Sequence, residues 1–283
     1  MMRTIFLASL VFFSTLAKAQ YYYKDIIGSR ESADLIKSYM NNRVSRVVLT
    51  SFDERNEKTE DFYVEQQFSA KDRSLKTITR SGVTSASVLT TFFDEEGKVL
   101  KTVDSSDLSK TVSVYSYNAD GLLTAVKSTS SDSSLRTSQT EEHLWQYGNN
   151  GRVSGMLRIK NKIDTTHVSF SLDEHGNVIE ELAVRRGVKS EPVQYFYDDA
   201  KRLTDVVRYN TKAKRLLPEY MFEYSASNQV IQKITVPNTG SKYMIWRYQY
   251  NAQGLKTKEA VYSKDDKRKP LGRIEYQYTF AAR

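Results

Sequence analysis

One pattern recurs along this chain and limits what it can fold into. It reads aromatic, any residue, aromatic, Asp or Asn, two residues, Gly, any residue, aliphatic. Seven segments carry it, some with substitutions: TFFDEEGKV (91–99), YSYNADGLL (115–123), WQYGNNGRV (145–153), FSLDEHGNV (170–178), YFYDDAKRL (195–203), FEYSASNQV (222–230) and YQYNAQGLK (248–256). An eighth copy starts at Tyr276-Gln277-Tyr278, and a worn one centres on Phe68. The second aromatic position falls at Phe93, Tyr117, Tyr147, Leu172, Tyr197, Tyr224, Tyr250 and Tyr278. The spacings are 24, 30, 25, 25, 27, 26 and 28 residues. A period of this length marks an array of one supersecondary unit.

Each copy reads as a β-hairpin. Two aromatics separated by one residue share a face of a strand. Asp or Asn then opens a tight turn by bonding the backbone two residues on. Gly97, Gly121, Gly151, Gly176 and Gly254 fall where a type I turn with a bulge needs positive φ. An aliphatic residue (Val99, Leu123, Val153, Val178, Leu203, Val230) restarts the strand. Lys201 and Asn228 stand where glycine is expected. The expected fold is all-β: tandem hairpins forming one long twisted antiparallel sheet, solenoid or partly closed barrel, with a short N-terminal helix. The domain plan is 1–19 signal peptide, 20–43 helix or cap segment, and 44–283 hairpin repeat domain.

The connections between hairpins differ from the tight turns. Asp104 to Lys110, Ser128 to Thr140, Arg185 to Glu191, Lys212 to Pro218, Pro237 to Lys242 and Lys264 to Pro270 are polar and variable. All four prolines fall in or beside them, where no ladder hydrogen bond is needed. Tight turns should line one edge of the sheet and variable loops the other. Upstream, Ser29 to Asn42 reads as a helix with Ser29 as its cap and Leu35, Ile36, Tyr39 and Met40 as its apolar stripe. Its expected role is to cover the first strand edge.

The address comes from MMRTIFLASLVFFSTLAKAQ. Arg3, the apolar run Ile5 to Phe13 and Ala17-Lys18-Ala19 make a secretory signal peptide. Cleavage after Ala19 removes Arg3 and Lys18 and lowers the formal charge from +8 to +6. The expected location is exported: periplasmic, or cell surface and extracellular. No integral membrane segment is expected, because no later apolar stretch approaches the roughly 20 residues a membrane helix needs. A membrane-embedded β-barrel is the architectural rival, and charge on both faces of Asn177 to Val184 and of Leu203 to Tyr209 counts against it. Cysteine is absent, which excludes a disulfide framework, a thiolate metal site and a cysteine nucleophile.

The signature resembles the YD repeats of the RHS family of bacterial secreted and cell-surface proteins. Tyr195-Phe196-Tyr197-Asp198 with Arg202-Leu203 is similar to it apart from the missing glycine, and Tyr115 to Leu123 matches with Asn118 in the Asp position. The resemblance covers about 91 to 280 and implies spiralling β-sheets and a surface or periplasmic address. The spacing here is longer and looser than in the family. With only Thr279 to Arg283 beyond Tyr278, and few copies, toxin delivery is not expected.

Chemistry-bearing motifs are sparse. His143, His167 and His175 fall on two strand faces and a turn, so no metal site is expected. No cofactor is expected either: there is no P-loop, HExxH or GxSxG. Asp94, Asp173 and Asp198 are explained by turn chemistry. Ten of the 19 tyrosines occupy the two aromatic positions, which favours cross-strand packing over an exposed sugar track. That leaves the basic loops: Arg185 and Arg186; Lys212, Lys214 and Arg215; Lys267, Arg268 and Lys269. These are the candidate binding residues for a cell-envelope polymer or a protein partner; nucleic acid is not expected, given export. The expected function is a non-enzymatic exported scaffold or binding protein. The alternative is a polysaccharide hydrolase using loop carboxylates such as Glu141 or Glu142.

Overall fold

The computed structural model describes residues 21–82, 86–210, 212–236 and 243–282. The signal peptide expected at 1–19 and the connection Pro237 to Lys242 lie outside them. The described chain is one helix, α1 (Lys24–Asn41), followed by strands β1 (Val44–Asp53) to β19 (Gly272–Phe280).

Each strand except β12 pairs antiparallel with the next, and β1 pairs with both β2 (Phe62–Ser69) and β19. Val47 faces Tyr278 and Leu49 faces Tyr276 across that last seam. The sheet therefore has no free edge. β12 (Val188–Lys189) is a two-residue ribbon beside the direct pairing of β11 (Val178–Arg185) with β13 (Val193–Tyr197), so the closed wall counts 18 strands. Closure replaces the open sheet and solenoid among the expectations. It pairs the backbone groups that an edge would expose.

The tight turns share one geometry. Asp94 N–H donates to Lys98 O at 2.9 Å, and Gly97 N–H to Asp94 O at 3.1 Å. The same pair of bonds recurs at Asn118, Gly148, Asp173, Asp198, Ser225 and Asn251. Each turn is accompanied by a register shift beside the second aromatic position, as between Phe92 and Phe93 and between Gln249 and Tyr250. Lys201 and Asn228 take φ of 61° and 64°, in the left-handed region that glycine occupies elsewhere.

The second-position tyrosines tie successive hairpins together. Tyr117 Oη donates to Val99 O, Tyr147 to Leu123 O, Tyr197 to Val178 O, Tyr224 to Leu203 O, Tyr250 to Val230 O and Tyr278 to Lys256 O, all within 2.7–2.9 Å. The acceptor is each time the carbonyl of the residue that restarts the preceding hairpin. None of the ten tyrosines at the aromatic positions is exposed. The ladder faces the lumen.

The helix lies inside the barrel. Tyr39 Oη donates to Gln66 Oε1 of β2 at 2.6 Å and its ring meets Tyr278 of β19. Asp25 meets His143 of β8 (Thr137–Tyr147), and Tyr23, just before the helix, meets Phe170 of β10 (Asp164–Leu172) and Tyr195 of β13. Contacts to strands spread around a closed ring are possible only from within. The helix therefore covers no strand edge, because none exists; it occupies part of the lumen, burying Ile26, Ile36 and Tyr39 against the wall while Arg30, Glu31, Asp34 and Lys37 stay exposed. Ile36 anchors one core cluster with Val47, Val64, Phe93 and Leu255; Ile26 anchors a second with Trp145, Met156, Val193 and Val206.

The helix also starts five residues before the expected position. Ser29 is internal, its Oγ donating to Ile26 O at 3.0 Å, and Tyr23 caps with no side-chain bond. The cap comes from across the lumen. Glu181 of β11 accepts the backbone N–H of Tyr22 and of Tyr23 at 2.9 Å. A carboxylate there also complements the helix dipole.

The wall's outer face mixes charged pairs with exposed apolar side chains, among them Phe92, Leu100, Val114, Leu144, Ile179 and Phe196. Lys127 of β7 (Leu123–Asp132) pairs with Glu142 at 2.6 Å, one residue out of phase with inward Val126 and His143. Arg46 pairs with Glu65. No helix among the described residues is long and apolar enough to cross a membrane. Several connections are shorter than expected. β7 runs to Asp132 and β8 begins at Thr137, because hydroxyls pair across β6 (Ser109–Tyr117) and β7: Ser113 with Ser128 at 2.8 Å and Thr111 with Ser130 at 3.0 Å.

Candidate functional site

Alternation of turns in a meander sends every second connection to the same end. The tight turns occupy one end of the barrel, and the basic connections occupy the other. Arg185 and Arg186 sit at the β11–β12 turn. Lys212, Lys214 and Arg215 sit between β14 (Leu203–Asn210) and β15 (Arg215–Tyr224). Lys267, Arg268 and Lys269 sit between β18 (Lys256–Ser263) and β19. All eight are exposed. Local carboxamide and carboxylate oxygens shape these turns: Asn210 Oδ1 accepts the Lys212 amide at 3.1 Å, and Asp266 Oδ1 accepts the Arg268 and Lys269 amides at 2.9 and 3.1 Å.

The first group borders a cavity. A space of about 510 Å³ opens at this end, lined by Tyr22, Arg158, Thr166, Ala183, Arg185, Arg186, Val188, Lys189 and Ser190. Arg158 comes from β9 (Val153–Lys160) and Thr166 from β10, and they are register partners. Arg185 faces Thr166 on the other side. Three neighbouring strands thus present Arg158, Thr166 and Arg185 in one row on the lumen face. The second and third basic groups do not line the cavity.

Ion pairs hold the row in place. Arg158 donates to Glu141 Oε2 at 2.5 Å. Arg185 forms two bonds to Asp164, at 2.9 and 2.6 Å, and Arg186 approaches the same carboxylate at 3.7 Å. Behind them His143 bonds Asp25 at 2.5 Å and Glu141 at 3.0 Å. Burial opposes the charged form of His143, but these two carboxylates outweigh it and raise its pKa to about 9. Burial likewise opposes ionisation of Glu141, yet hydrogen bonds from His143 and Arg158 bring its pKa down to about 2. Both ring nitrogens of His143 therefore donate at neutral pH. Burial pushes the Glu181 carboxyl up, offset by the Tyr22 and Tyr23 amides and the Tyr195 hydroxyl.

Two polar atoms in the cavity wall stand out. Thr166 is 2% exposed, and its Oγ1 has no hydrogen-bond partner among the described residues; nor has Arg158 Nε. Such groups are costly to bury unpaired. Sequence reasoning reached Arg185 and Arg186 but missed Arg158, Thr166 and Lys189. A signal for Arg158 was present: it lies two residues beyond Met156, on the core-facing parity of its strand, where a charge is unusual.

The carboxylates considered for catalysis are dispersed. Glu141 points into the lumen and Glu142 outward to Lys127. Asp94, Asp173 and Asp198 accept backbone amides inside their own turns. Among the described residues no group of three His, Asp or Glu side chains gathers to hold a metal ion.

No known family profile matches the sequence, and no curated protein matches it. Solved structures of similar shape include a chain of the TcdB2-TccC3-Cdc42 crystal structure, 13% identical with a TM-score of 0.34, covering 75% of this chain and 12% of that one. A porin-like protein from Bacteroides uniformis is 9% identical with a TM-score of 0.39, covering 83% and 98%. A chain of the Photorhabdus luminescens Tc holotoxin pore is 11% identical with a TM-score of 0.31, covering 81% and 15%. This chain thus spans about an eighth of the first of these.

Proposed function

We propose that this is an exported, non-enzymatic binding protein. Its YD-like hairpin scaffold presents one end of a barrel to an anionic cell-envelope polymer. The observation that carries the reading is the placement of all three basic groups at a single end, opposite the tight turns. Positive loops gathered on one rim raise the local concentration of a polyanion. Charged pairs on the outer wall, such as Lys127 with Glu142, interrupt its exposed apolar residues and support a barrel that stands in water, since a lipid-facing wall needs an unbroken apolar band. The shared turn geometry and the tyrosine bonds support kinship with YD repeats.

The test is retention on immobilised anionic envelope polysaccharide beside a neutral one. The protein should be retained on the first, with retention falling as salt rises. Replacing Lys212, Lys214, Arg215, Lys267, Arg268 and Lys269 with Ser should abolish it. Equal retention of that variant would refute the reading. Release of new reducing ends from the polymer would refute the non-enzymatic part and favour a hydrolase. N-terminal sequencing of the exported protein should begin at Gln20.

A further inference from the structure

We propose that the cavity at the β9–β10–β11 end receives a tetrahedral oxyanion carrying two negative charges, that is, a phosphate monoester. The inference rests on reading the loop end as an anion-binding surface, and it names the group that enters.

Charge supports a dianion. Arg158, Arg185, Arg186 and Lys189 border the cavity. Two of these four charges are offset by the carboxylates in direct contact, Asp164 on Arg185 and Arg186, and Glu141 on Arg158. Behind Glu141, His143 and Asp25 cancel one another. Two positive charges remain for a ligand. Glu181 does not line the cavity, and its oxygens turn to the Tyr22 and Tyr23 amides and the Tyr195 hydroxyl.

Hydrogen bonding supports an oxyanion in particular. The Arg158 Nε–H and the Thr166 hydroxyl are both donors without a partner, on register-paired residues. A seated phosphoryl group supplies acceptors to both. Guanidinium groups match its geometry through paired N–H bonds, and Lys189 adds a point charge. A neutral sugar would leave the excess charge unmet.

The Arg158 Nε–H is a direct reporter. Its NMR resonance, assigned by its loss in Arg158→Lys, should shift saturably on titration with inorganic phosphate, and with glycerol 3-phosphate. Thr166→Val removes a hydroxyl that has no partner, so its melting temperature without phosphate should hold or rise. Its phosphate affinity should nevertheless fall about tenfold. Lys189→Ala, a change on the exposed β12 ribbon, should also weaken phosphate. No saturable shift in the parent protein would overturn the inference. So would a Thr166→Val variant that binds phosphate as tightly as the parent. Polymer retention with a phosphate-blind cavity sinks this inference and leaves the rim reading intact. Phosphate binding without polymer retention does the reverse, and assigns the site to a free phosphorylated small molecule.

Discussion

His143 Nδ1 stands 2.5 Å from Asp25 Oδ2, and this contact joins the lumen helix to the barrel wall. The imidazolium donates to a helix carboxylate on one side and to Glu141, a wall carboxylate, on the other. Its pKa of about 9 lies above the ordinary value of 6.5. The bonds to Asp25 and Glu141 therefore stabilise the folded state fully below pH 6.5, and that stability is lost as pH rises through 9. The contribution is on the order of 3 kcal/mol. Urea midpoints measured from pH 6 to 10 should fall along this limb, and the fall should flatten in His143→Gln.

The acid side has the opposite sign. Glu141, at about 2 in the fold, contributes stability above the usual carboxylate value that is lost as pH drops towards 2. Glu141→Gln should be less stable than the parent at pH 6, and the gap should close below pH 3. A constant gap would mean that the carboxylate matters only for its shape.

Lys201→Gly should raise the melting temperature. The lysine holds φ of 61° in a turn whose counterparts are glycine. Left-handed backbone costs a side chain about 1 kcal/mol, and part of this returns on substitution. A lower melting temperature would show that the Lys201 side chain contributes more than its backbone costs.

Tyr117→Phe and Tyr224→Phe each remove one bond between successive hairpins, to Val99 O and to Leu203 O. Each should cost about 1 kcal/mol in chemical denaturation, and the double variant should show the sum, since the sites share no partner. An unchanged midpoint would make the hydroxyl bonds incidental.

These tyrosines and turns were legible in the sequence because their causes are local. A turn needs its Asp and its left-handed residue within four positions, and alternation assigns each aromatic to a face. Closure was not legible. Val47 and Tyr278 meet across most of the chain, and nothing near either residue announces the other. The helix was misplaced for the same reason. Its stripe around Ile36 and Tyr39 shows that something covers it, and a strand edge was the nearest candidate. Its true start was hidden because the cap is Glu181, on a distant strand, in place of a neighbouring serine. The cavity was half legible: Arg185 and Arg186 lie in a loop that announces its charge, whereas Arg158 and Thr166 become neighbours only through the β9–β10 register.

The wall closes where Val48 faces Gln277 across β1 and β19. Both the enclosed helix and the single basic end depend on that seam. The native chain contains no cysteine, so Val48→Cys with Gln277→Cys makes an unambiguous pair. Facing residues on antiparallel strands lie within disulfide reach. Under mild oxidation the double variant should form an intramolecular disulfide in nearly every molecule, seen as faster migration in non-reducing gels, and its melting temperature should rise. Free thiols, or only intermolecular dimers, would contradict a closed barrel.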